Sequence, residues 1–142
     1  MSDELSWDEL AADLNGIASM ATVTPDGEPH VSVISSAVVD GTVWIGTSRG
    51  ARKAINVGGT PSVALVWSGS AEVYLWGSAE LVDDVDTKRS FWDDGVWSYD
   101  PAMFFQTPDN PDYVLIRVTP ERAMSMSFGE QGPTQRRWRA GG

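Results

Sequence analysis

The segment of residues 16–48 constrains the fold most, because it reads as three short strands joined by two tight turns. Its sequence is GIASMATVTPDGEPHVSVISSAVVDGTVWIGTS, in which β-branched and small residues are interrupted at PDGEP and at DG. Glycine supplies the positive φ of a tight hairpin, and proline supplies a fixed φ. Neither connection is long enough for a crossover helix. The segment therefore predicts an antiparallel meander and not a βαβ unit.

The strand pattern continues through the rest of the chain. Further strands are predicted at PSVALVW, AEVYLWGSAELV, YVLIRV and AMSMSF. In AEVYLWGSAELV the side chains should alternate between two faces: Val73, Leu75, Gly77, Ala79 and Leu81 on one, and Glu72, Tyr74, Trp76, Ser78 and Glu80 on the other. About six or seven antiparallel strands with few, short helices predict a mainly β protein that forms a small β-barrel.

Two short helices are predicted in the first half of the chain. Apolar residues at helical spacing place one within residues 1–15, and Asn15-Gly16 would end it. The second should begin with the Ser48 hydroxyl as its N-cap and stop at Gly58-Gly59. Its buried side would consist of Ala51, Ala54 and Ile55.

Two further segments without strand character follow. Asp86 is predicted to cap a helix at TKRSFWDD, and Pro101 to open a short turn through AMFF. The tail of residues 129–142, GEQGPTQRRWRAGG, is rich in glycine and arginine and is expected to be a flexible end or a flap over a site.

Composition limits the function classes. The chain has 142 residues, which predicts one domain spanning 1–142, and no cysteine, which excludes disulfides and thiolate metal sites. It shows no secretory leader and no apolar stretch long enough to span a membrane, so a cytoplasmic protein without a membrane partner is expected. A formal charge of −10 disfavours nucleic-acid binding. Its acidic pairs fall in predicted turns and caps, so no metal site is expected.

The cations are concentrated in two places. Arg49, Arg52 and Lys53 form one cluster, and Arg136, Arg137 and Arg139 form another. The first cluster follows Thr47 and Ser48, at the end of a strand and the start of a helix. Hydroxyl donors, backbone N–H groups and long cations at one helix start are suited to a phosphate group. A capped helix with a solvated basic face explains the same residues equally well.

The order of these motifs resembles that of a known superfamily. The stretch MATVTPDGEPHVSVISSAVVDGTVWIGTSRGARKAINVGGTPSVALVW is similar to the pyridoxamine phosphate oxidase-like, FMN-binding split-barrel superfamily. The continuation GSAELVDD…KRSFWDDGVW…FFQTPDNPDYVLIRVTPERA resembles its general stress protein branch. The resemblance implies a six- to seven-stranded antiparallel split β-barrel. It also implies a homodimer with FMN sites at the interface, acting as a flavin oxidoreductase with a small-molecule electron donor and acceptor.

The resemblance also assigns roles to individual residues. His30, Val33, Ile34 and Ser35 would line the isoalloxazine edge of FMN, and Thr47, Ser48, Arg52 and Lys53 would hold its phosphate. Trp67, Glu72 and Trp76 of the partner subunit would close over the ring. No residue is assigned as a catalytic acid or base, since the flavin would carry the chemistry.

Three departures from the family pattern bear on activity. Glu72 stands where the oxidase often has glutamine, and a carboxylate there would oppose an anionic reduced flavin. The tail QRRWRAGG only superficially resembles the oxidase's C-terminal substrate motif, which disfavours pyridoxamine phosphate oxidation. Met124 and Met126 stand where stress-protein relatives commonly carry an aromatic residue.

Two alternatives remain open from the sequence. One is a deazaflavin-dependent reductase, although its polyanionic cofactor favours an extended basic groove and no lysine or arginine occurs between Lys53 and Lys88. The other is a non-catalytic dimeric module that holds flavin or haem. The single histidine, His30, is more typical of a surface or strand residue than of a catalytic one.

Overall fold

The computed structural model describes residues 4–141. Residues 1–3 of the predicted N-terminal helix and residue 142 of the tail lie outside the described part. The strands are β1 Gly16–Val23, β2 Pro29–Val39, β3 Thr42–Ser48, β4 Ser62–Ser68, β5 Ala71–Val82, β6 Tyr113–Gly129 and β7 Gly132–Arg139. The helices are α1 Trp7–Ala11, α2 Arg52–Gly59, α3 Val85–Asp93 and α4 Ala102–Phe105.

The strands form an antiparallel barrel. Their order in the sheet is β3-β2-β1-β4-β5-β6-β7, and an additional pairing of β3 with β6 closes the first six into a ring. β7 lies outside the ring and pairs with the second half of β6, from Arg122 to Gly129. The predicted meander and the predicted six- to seven-stranded split barrel are both confirmed.

β6 is one strand of 17 residues where the sequence predicted two. Pro120, which cannot donate to a sheet ladder, lies between the two predicted strands. It is accommodated because the register shifts there: Trp76 pairs with Arg122 and Gly77 with Pro120, which leaves Glu121 as an extra residue. Gly77 permits this close approach, since a Cβ at this position would lie 2.4 Å from the Thr119 carbonyl oxygen.

The main core fills the barrel. The alternation predicted for β5 is present: Val73, Leu75, Gly77 and Ala79 are buried, whereas Leu81 near the strand end is 37% exposed. A second, aromatic cluster lies between the outside of β3 and β6 and the segment that contains α3 and α4. It contains Trp44, Phe91, Trp97, Phe105 and Tyr113. This cluster holds the connection between β5 and β6 against the barrel.

The end of α1 and the N-cap of α3 differ from those that the sequence predicted. α1 has five residues, is capped by Ser6 and Glu9 in a capping box, and ends before Asn15. Gly16, with φ of 99°, begins β1 instead of closing a helix. α3 is capped by Asp84, whose carboxylate accepts a hydrogen bond from the Thr87 N–H at 2.9 Å, and not by Asp86.

The second helix starts later than predicted. Ser48 ends β3, a turn follows, and α2 has Ala51 at its N-cap with no side-chain hydrogen bond. Its buried residues are Ala54, Asn56 and Val57. Ile55 is 45% exposed, because the helix turns that face away from the barrel. The helix ends at Gly59, as the glycine pair predicted, and α4 begins directly after Pro101.

The basic tail is not a flexible end. Residues 132–139 form β7, and the backbone N–H of Leu5 donates to the carbonyl of Arg137 at 2.7 Å. Trp138 packs on Trp7, with ring centroids 5.0 Å apart. Tail and N-terminal segment therefore stabilise each other on one side of the barrel.

Candidate functional site

A pocket of about 340 Å³ opens at the ends of β2 and β3 and is called here the β2–β3 pocket. It brings together six residues that the sequence assigned to cofactor binding: Val33, Ile34, Ser35, Thr47, Ser48 and Lys53. β2 supplies the first three, the end of β3 the next two, and the first turn of α2 the lysine. Side chains from three consecutive elements therefore meet at one opening.

The β2 residues of the pocket differ in exposure. The Val33 side chain is 70% exposed and faces outward, whereas Ile34 is 5% exposed and belongs to the barrel core. Ser35 is buried, and its hydroxyl accepts a hydrogen bond from the Ser98 N–H at 3.0 Å. One wall of the pocket is therefore apolar, and its serine is already bonded within the chain.

The opposite end of the pocket is polar and cationic. Thr47 is buried, Ser48 is half-buried, and burial lowers the pKa of the half-buried Lys53 ammonium. No acidic side chain lines the pocket among residues 4–141, and Lys53 forms no ion pair with a described carboxylate. An anion beside Lys53 would compensate this desolvated positive charge.

An aromatic wall, which the sequence reasoning missed, completes the pocket. Tyr99, Phe104 and Phe105 line it from the segment around α4, and Phe104 is 63% exposed. The Tyr99 hydroxyl donates to the Gly46 carbonyl at 3.4 Å, and a Cβ on Gly46 would lie 2.8 Å from that hydroxyl. The available signal was SYDPAMFF, where three aromatic residues fall in a connection that only a predicted turn explained.

Other members of the predicted phosphate cluster lie elsewhere. Arg52 is exposed at the start of α2 and does not line the pocket. Arg49 forms an ion pair with Asp83 and donates to the Pro111 carbonyl at 2.9 Å, so it is held by the scaffold. His30 also does not line the pocket; it pairs with Thr22 of β1, and its Nδ1 is buried without a hydrogen-bond partner.

The residues predicted to reach a partner's ring lie on another side of the chain. Trp67 is 4% exposed in the barrel core, where its indole N–H donates to the Ser36 hydroxyl at 3.0 Å, so its ring is not on the surface. Glu72 and Trp76 are half-buried on the outward face of β5. Neither lines the β2–β3 pocket of its own chain.

An apolar surface borders the pocket mouth. Ile17 and Val33 line the pocket and are 60% and 70% exposed, and Val31 on the same face of β2 is 68% exposed. Their strands are paired, with Ile17 opposite Ser35 and Ala21 opposite Val31. This exposed apolar patch on β1 and β2 is contiguous with the pocket, which is typical of an interaction surface.

Comparison with known proteins places this chain in a family. The sequence pattern of the pyridoxamine 5'-phosphate oxidase family matches residues 8–127. The chain belongs to the pyridoxamine 5'-phosphate oxidase family. It is 27% identical over 127 residues to General stress protein 26 of Bacillus subtilis (strain 168), covering 85% of this chain and 86% of that protein. The predicted resemblance to the family and to its general stress protein branch is confirmed.

Solved structures show the same barrel. A pyridoxamine 5'-phosphate oxidase-related, FMN-binding protein from Nostoc punctiforme superimposes with a TM-score of 0.68 at 16% identity, covering 85% of this chain and 78% of that one. A haem-binding protein from Mycobacterium smegmatis gives 0.69 at 18% identity, covering 93% of this chain and 58% of that one. The same fold therefore occurs in an FMN-binding protein and in a haem-binding protein.

Two features were sought among the described residues, a metal-binding group of side chains and a membrane-spanning helix. Residues 4–141 contain no group of three or more histidine or acidic side chains arranged to hold a metal ion. No helix among them is long and apolar enough to cross a membrane.

Proposed function

We propose that this chain binds FMN in the β2–β3 pocket and acts as a flavin-dependent oxidoreductase. One observation carries the proposal: an apolar and aromatic cleft ends at a desolvated lysine that has no acidic neighbour among the described residues. A planar ring that carries a phosphate group matches both halves of this pocket. Membership of a family with FMN-binding structures supports the choice of cofactor.

The polar end fits a phosphate group. The ammonium of Lys53 and the hydroxyls of Thr47 and Ser48 line the same opening and are donors for phosphate oxygens. Charge-assisted hydrogen bonds of this kind are about twice as strong as neutral ones. Arg52 is exposed at the start of α2, from where it would add long-range attraction rather than a pocket contact.

The apolar end fits a flat ring. Val33 from β2 lines the same pocket as Tyr99 and Phe104 from the segment around α4. These side chains would pack on a bound ring and exclude water from it. When bound, FMN supplies the electron or hydride transfer, and the chain supplies position and burial. Burial raises the pKa of Tyr99 well above its usual value, so its hydroxyl stays protonated and keeps its hydrogen bond to the Gly46 carbonyl.

The exposed apolar patch supports the proposal of a homodimer. Ile17, Val31 and Val33 border the pocket mouth, and a second copy packed there would bury them. The ring would then lie between two subunits, where Glu72 and Trp76 of the partner subunit are predicted to cover it. Trp67 is not part of this prediction, because its ring is buried within its own chain.

A flavin titration tests the cofactor. We expect the purified chain to bind FMN and to bind riboflavin, which lacks the phosphate, about tenfold or more weakly. Lys53→Met should reduce the affinity for FMN to that for riboflavin. Arg89→Gln, which removes an exposed cation of α3 away from the pocket, should leave it unchanged. Equal affinity for both flavins, or an unaffected Lys53→Met variant, would contradict the phosphate site.

The same titration compares the alternatives. A deazaflavin cofactor and haemin are added in parallel to FMN. Binding of the deazaflavin in preference to FMN would favour the deazaflavin reductase, and binding of haemin alone would favour a haem-holding module.

Activity needs a separate measurement. The FMN-loaded protein is mixed anaerobically with reduced nicotinamide cofactors, and loss of the oxidised flavin absorbance is followed before an acceptor is added. Reduction and reoxidation with turnover support an oxidoreductase. Flavin that binds but stays oxidised supports the non-catalytic module. The cytoplasmic location expected from the sequence stays a prediction.

A further inference from the structure

The chain turns sharply directly behind the aromatic wall of the β2–β3 pocket. Gln106, the residue that follows α4, has φ of 68° and ψ of −52°. Its two neighbours are joined across it, since the Thr107 N–H donates to the Phe105 carbonyl at 2.7 Å. This three-residue arrangement is a γ-turn with positive φ, which is rare and strained in proteins. Glycine would adopt it without strain, but the chain carries glutamine there.

The strain at Gln106 has no local explanation. Among residues 4–141, only Asp40 and Gln106 combine a positive φ with a side chain. Asp40 lies in the two-residue turn between β2 and β3, and tight hairpin turns of this length require positive φ. Gln106 joins no pair of strands, and its side chain is exposed, so packing of that side chain does not impose its conformation.

Asn110 holds the γ-turn closed. Its side-chain amino group donates at 2.8 Å to the Phe105 carbonyl, the same carbonyl that accepts the hydrogen bond of the turn. Its side-chain oxygen accepts a hydrogen bond from the Asp112 N–H at 2.9 Å, which fixes the orientation of the carboxamide. Strained residues persist where surrounding contacts compensate for them, and they concentrate at functional sites. Asn110 supplies that compensation here.

The γ-turn sets the position of the aromatic wall. Phe105 is 5% exposed and packs on Tyr113 of β6, with ring centroids 4.8 Å apart, so it anchors the end of α4. Phe104 is 63% exposed and contacts Tyr99 edge to face, with ring centroids 5.6 Å apart. Because Gln106 follows the anchor directly, a change in its φ would tilt α4 and move Phe104 relative to the pocket.

We propose that Gln106 and Asn110 are positioning residues for the β2–β3 pocket. Asn110 holds the γ-turn, and the turn holds Phe104 where a flat ring packs against it. The inference rests on the proposed function for the identity of that ring, the flavin of FMN. Neither positioning residue lines the pocket, and neither reaches its phosphate end. Their loss therefore weakens binding of the ring and leaves the contribution of the phosphate unchanged.

Two substitutions act on the turn in opposite ways. Asn110→Asp keeps an oxygen for the Asp112 N–H but loses the donor to the Phe105 carbonyl, so the strained turn is released. Gln106→Gly removes the strain itself. In the Asn110→Asp, Gln106→Gly double variant, the turn should therefore persist without its clamp.

Two controls match these substitutions. Asn110→Asp, Gln106→Ala shortens the same side chain but keeps the strain, because alanine disfavours positive φ as glutamine does. Asn15→Asp adds the same charge at an exposed asparagine whose side-chain oxygen accepts from the Val38 N–H at 3.1 Å. A general folding defect of Asn110→Asp would not be corrected by glycine and left uncorrected by alanine.

Limited chymotrypsin digestion of the flavin-free chain measures whether the wall is held. Phe104 and Phe128 are both exposed, and cleavage after Phe128, at the end of β6, serves as the internal reference. The ratio of cleavage after Phe104 to cleavage after Phe128 should rise about tenfold in Asn110→Asp. It should return to the wild-type ratio with Gln106→Gly added, but not with Gln106→Ala, and should not change in Asn15→Asp. An unchanged ratio in Asn110→Asp, or equal ratios in the two double variants, would overturn the proposal.

Flavin titration of the same proteins measures ring binding. The affinities for FMN and for riboflavin should both fall about tenfold in Asn110→Asp, so that their ratio is unchanged, and Gln106→Gly should restore both. Lys53→Met, by contrast, should abolish the difference between the two flavins. A released turn with unaltered flavin affinity would overturn the proposal and leave the proposed function in place. If the wild-type chain binds neither flavin, the proposed function fails, and the digestion alone decides whether the two residues position the wall.

Discussion

The Ser35 hydroxyl accepts a hydrogen bond of 3.0 Å from the backbone N–H of Ser98. This contact ties β2 to the segment that leads into Tyr99, Phe104 and Phe105. The pocket wall supplied by the barrel is therefore fixed relative to the aromatic wall by a side chain that lines the pocket itself.

Ser35→Ala should loosen the aromatic wall. The variant leaves the partly buried Ser98 N–H without its partner, which costs about 1 kcal/mol of stability. FMN affinity should fall as well, because the wall is no longer held at a fixed distance. Urea unfolding and flavin titration measure the two effects. Ser68→Ala, an exposed serine at the end of β4, should change neither. An unchanged affinity would show that the wall does not contribute to binding.

FMN affinity should depend on the protonation of Lys53. Burial lowers the pKa of this ammonium in the free chain below its ordinary value of 10.5, and a bound phosphate would raise it again. Affinity should therefore be full at neutral pH and decline as pH rises through the lowered pKa of Lys53. Riboflavin binding, measured in the same series, should show no such decline. A Lys53→Met variant that keeps the pH dependence would assign it to another group.

The buried Lys88 makes Asp83 important for stability. The Lys88 ammonium, 3% exposed, donates to the Asp83 carboxylate at 2.8 Å and to the Tyr113 carbonyl at 2.9 Å. Partial burial raises the pKa of the Asp83 carboxyl, but the hydrogen bonds and charges of Lys88 and Arg49 outweigh it and lower the pKa overall. Asp83→Asn should cost about 1–2 kcal/mol at neutral pH, since the aspartate is partly exposed and its charge is screened.

The lowered pKa of Asp83 makes the stability of the chain depend on pH. The folded chain holds the Asp83 pKa below its unfolded value, so this stabilisation is present above the unfolded pKa and is lost as pH falls through the folded one. Urea unfolding at neutral and acidic pH should show the wild type approaching the Asp83→Asn variant in acid. Asp13→Asn, an exposed site with no ion pair to a described residue, serves as the control. A constant difference between the two proteins across pH would contradict the ion-pair account.

Gly77→Ala should strain the β5–β6 bulge. A methyl group there would lie 2.4 Å from the Thr119 carbonyl oxygen and 3.0 Å from a Val118 methyl group. Overpacking of this kind costs about 1–3 kcal/mol. Gly69→Ala in the β4–β5 turn meets nothing closer than 3.9 Å and should be tolerated. Urea midpoints of the two variants measure the difference in stability. Equal midpoints would show that β5 and β6 can move apart at the bulge without loss of stability.

Val33→Asp should prevent self-association. The aspartate would place a charge in the exposed apolar patch of Ile17, Val31 and Val33, where a second copy is proposed to pack. Light scattering should show a dimer for the wild type and a monomer for the variant. Ile55→Asp changes an exposed apolar residue on α2 and should remain dimeric. A wild-type monomer would contradict the proposed dimer.

Much of the barrel could be predicted from the sequence. Side chains alternate between the two faces of a strand, so the alternation of apolar and polar residues in β5 predicted which of its side chains are buried. Turn residues such as Gly27 and Gly41 have positive φ, and both marked the hairpins of the meander. Thr47, Ser48 and Lys53 could be grouped because they are close in sequence.

Other features had no local signal. Ser48 looked like a helix cap, but it ends a strand because its backbone pairs with Tyr113 of β6. β6 continues through Pro120 because a glycine on the neighbouring strand allows a bulge there. Both outcomes depend on a partner strand that is remote in sequence.

The sequence by itself determined the first five strands, the turns of the meander and the polar end of the pocket, because these depend on residues a few positions apart. The tertiary structure decided the aromatic wall, which comes from a segment about fifty residues beyond β3, and the register of β6 and β7, which sets Arg122 opposite Arg139. Strand register and barrel closure are set by pairing between distant segments, and no local pattern of side chains specifies which residue will lie opposite another.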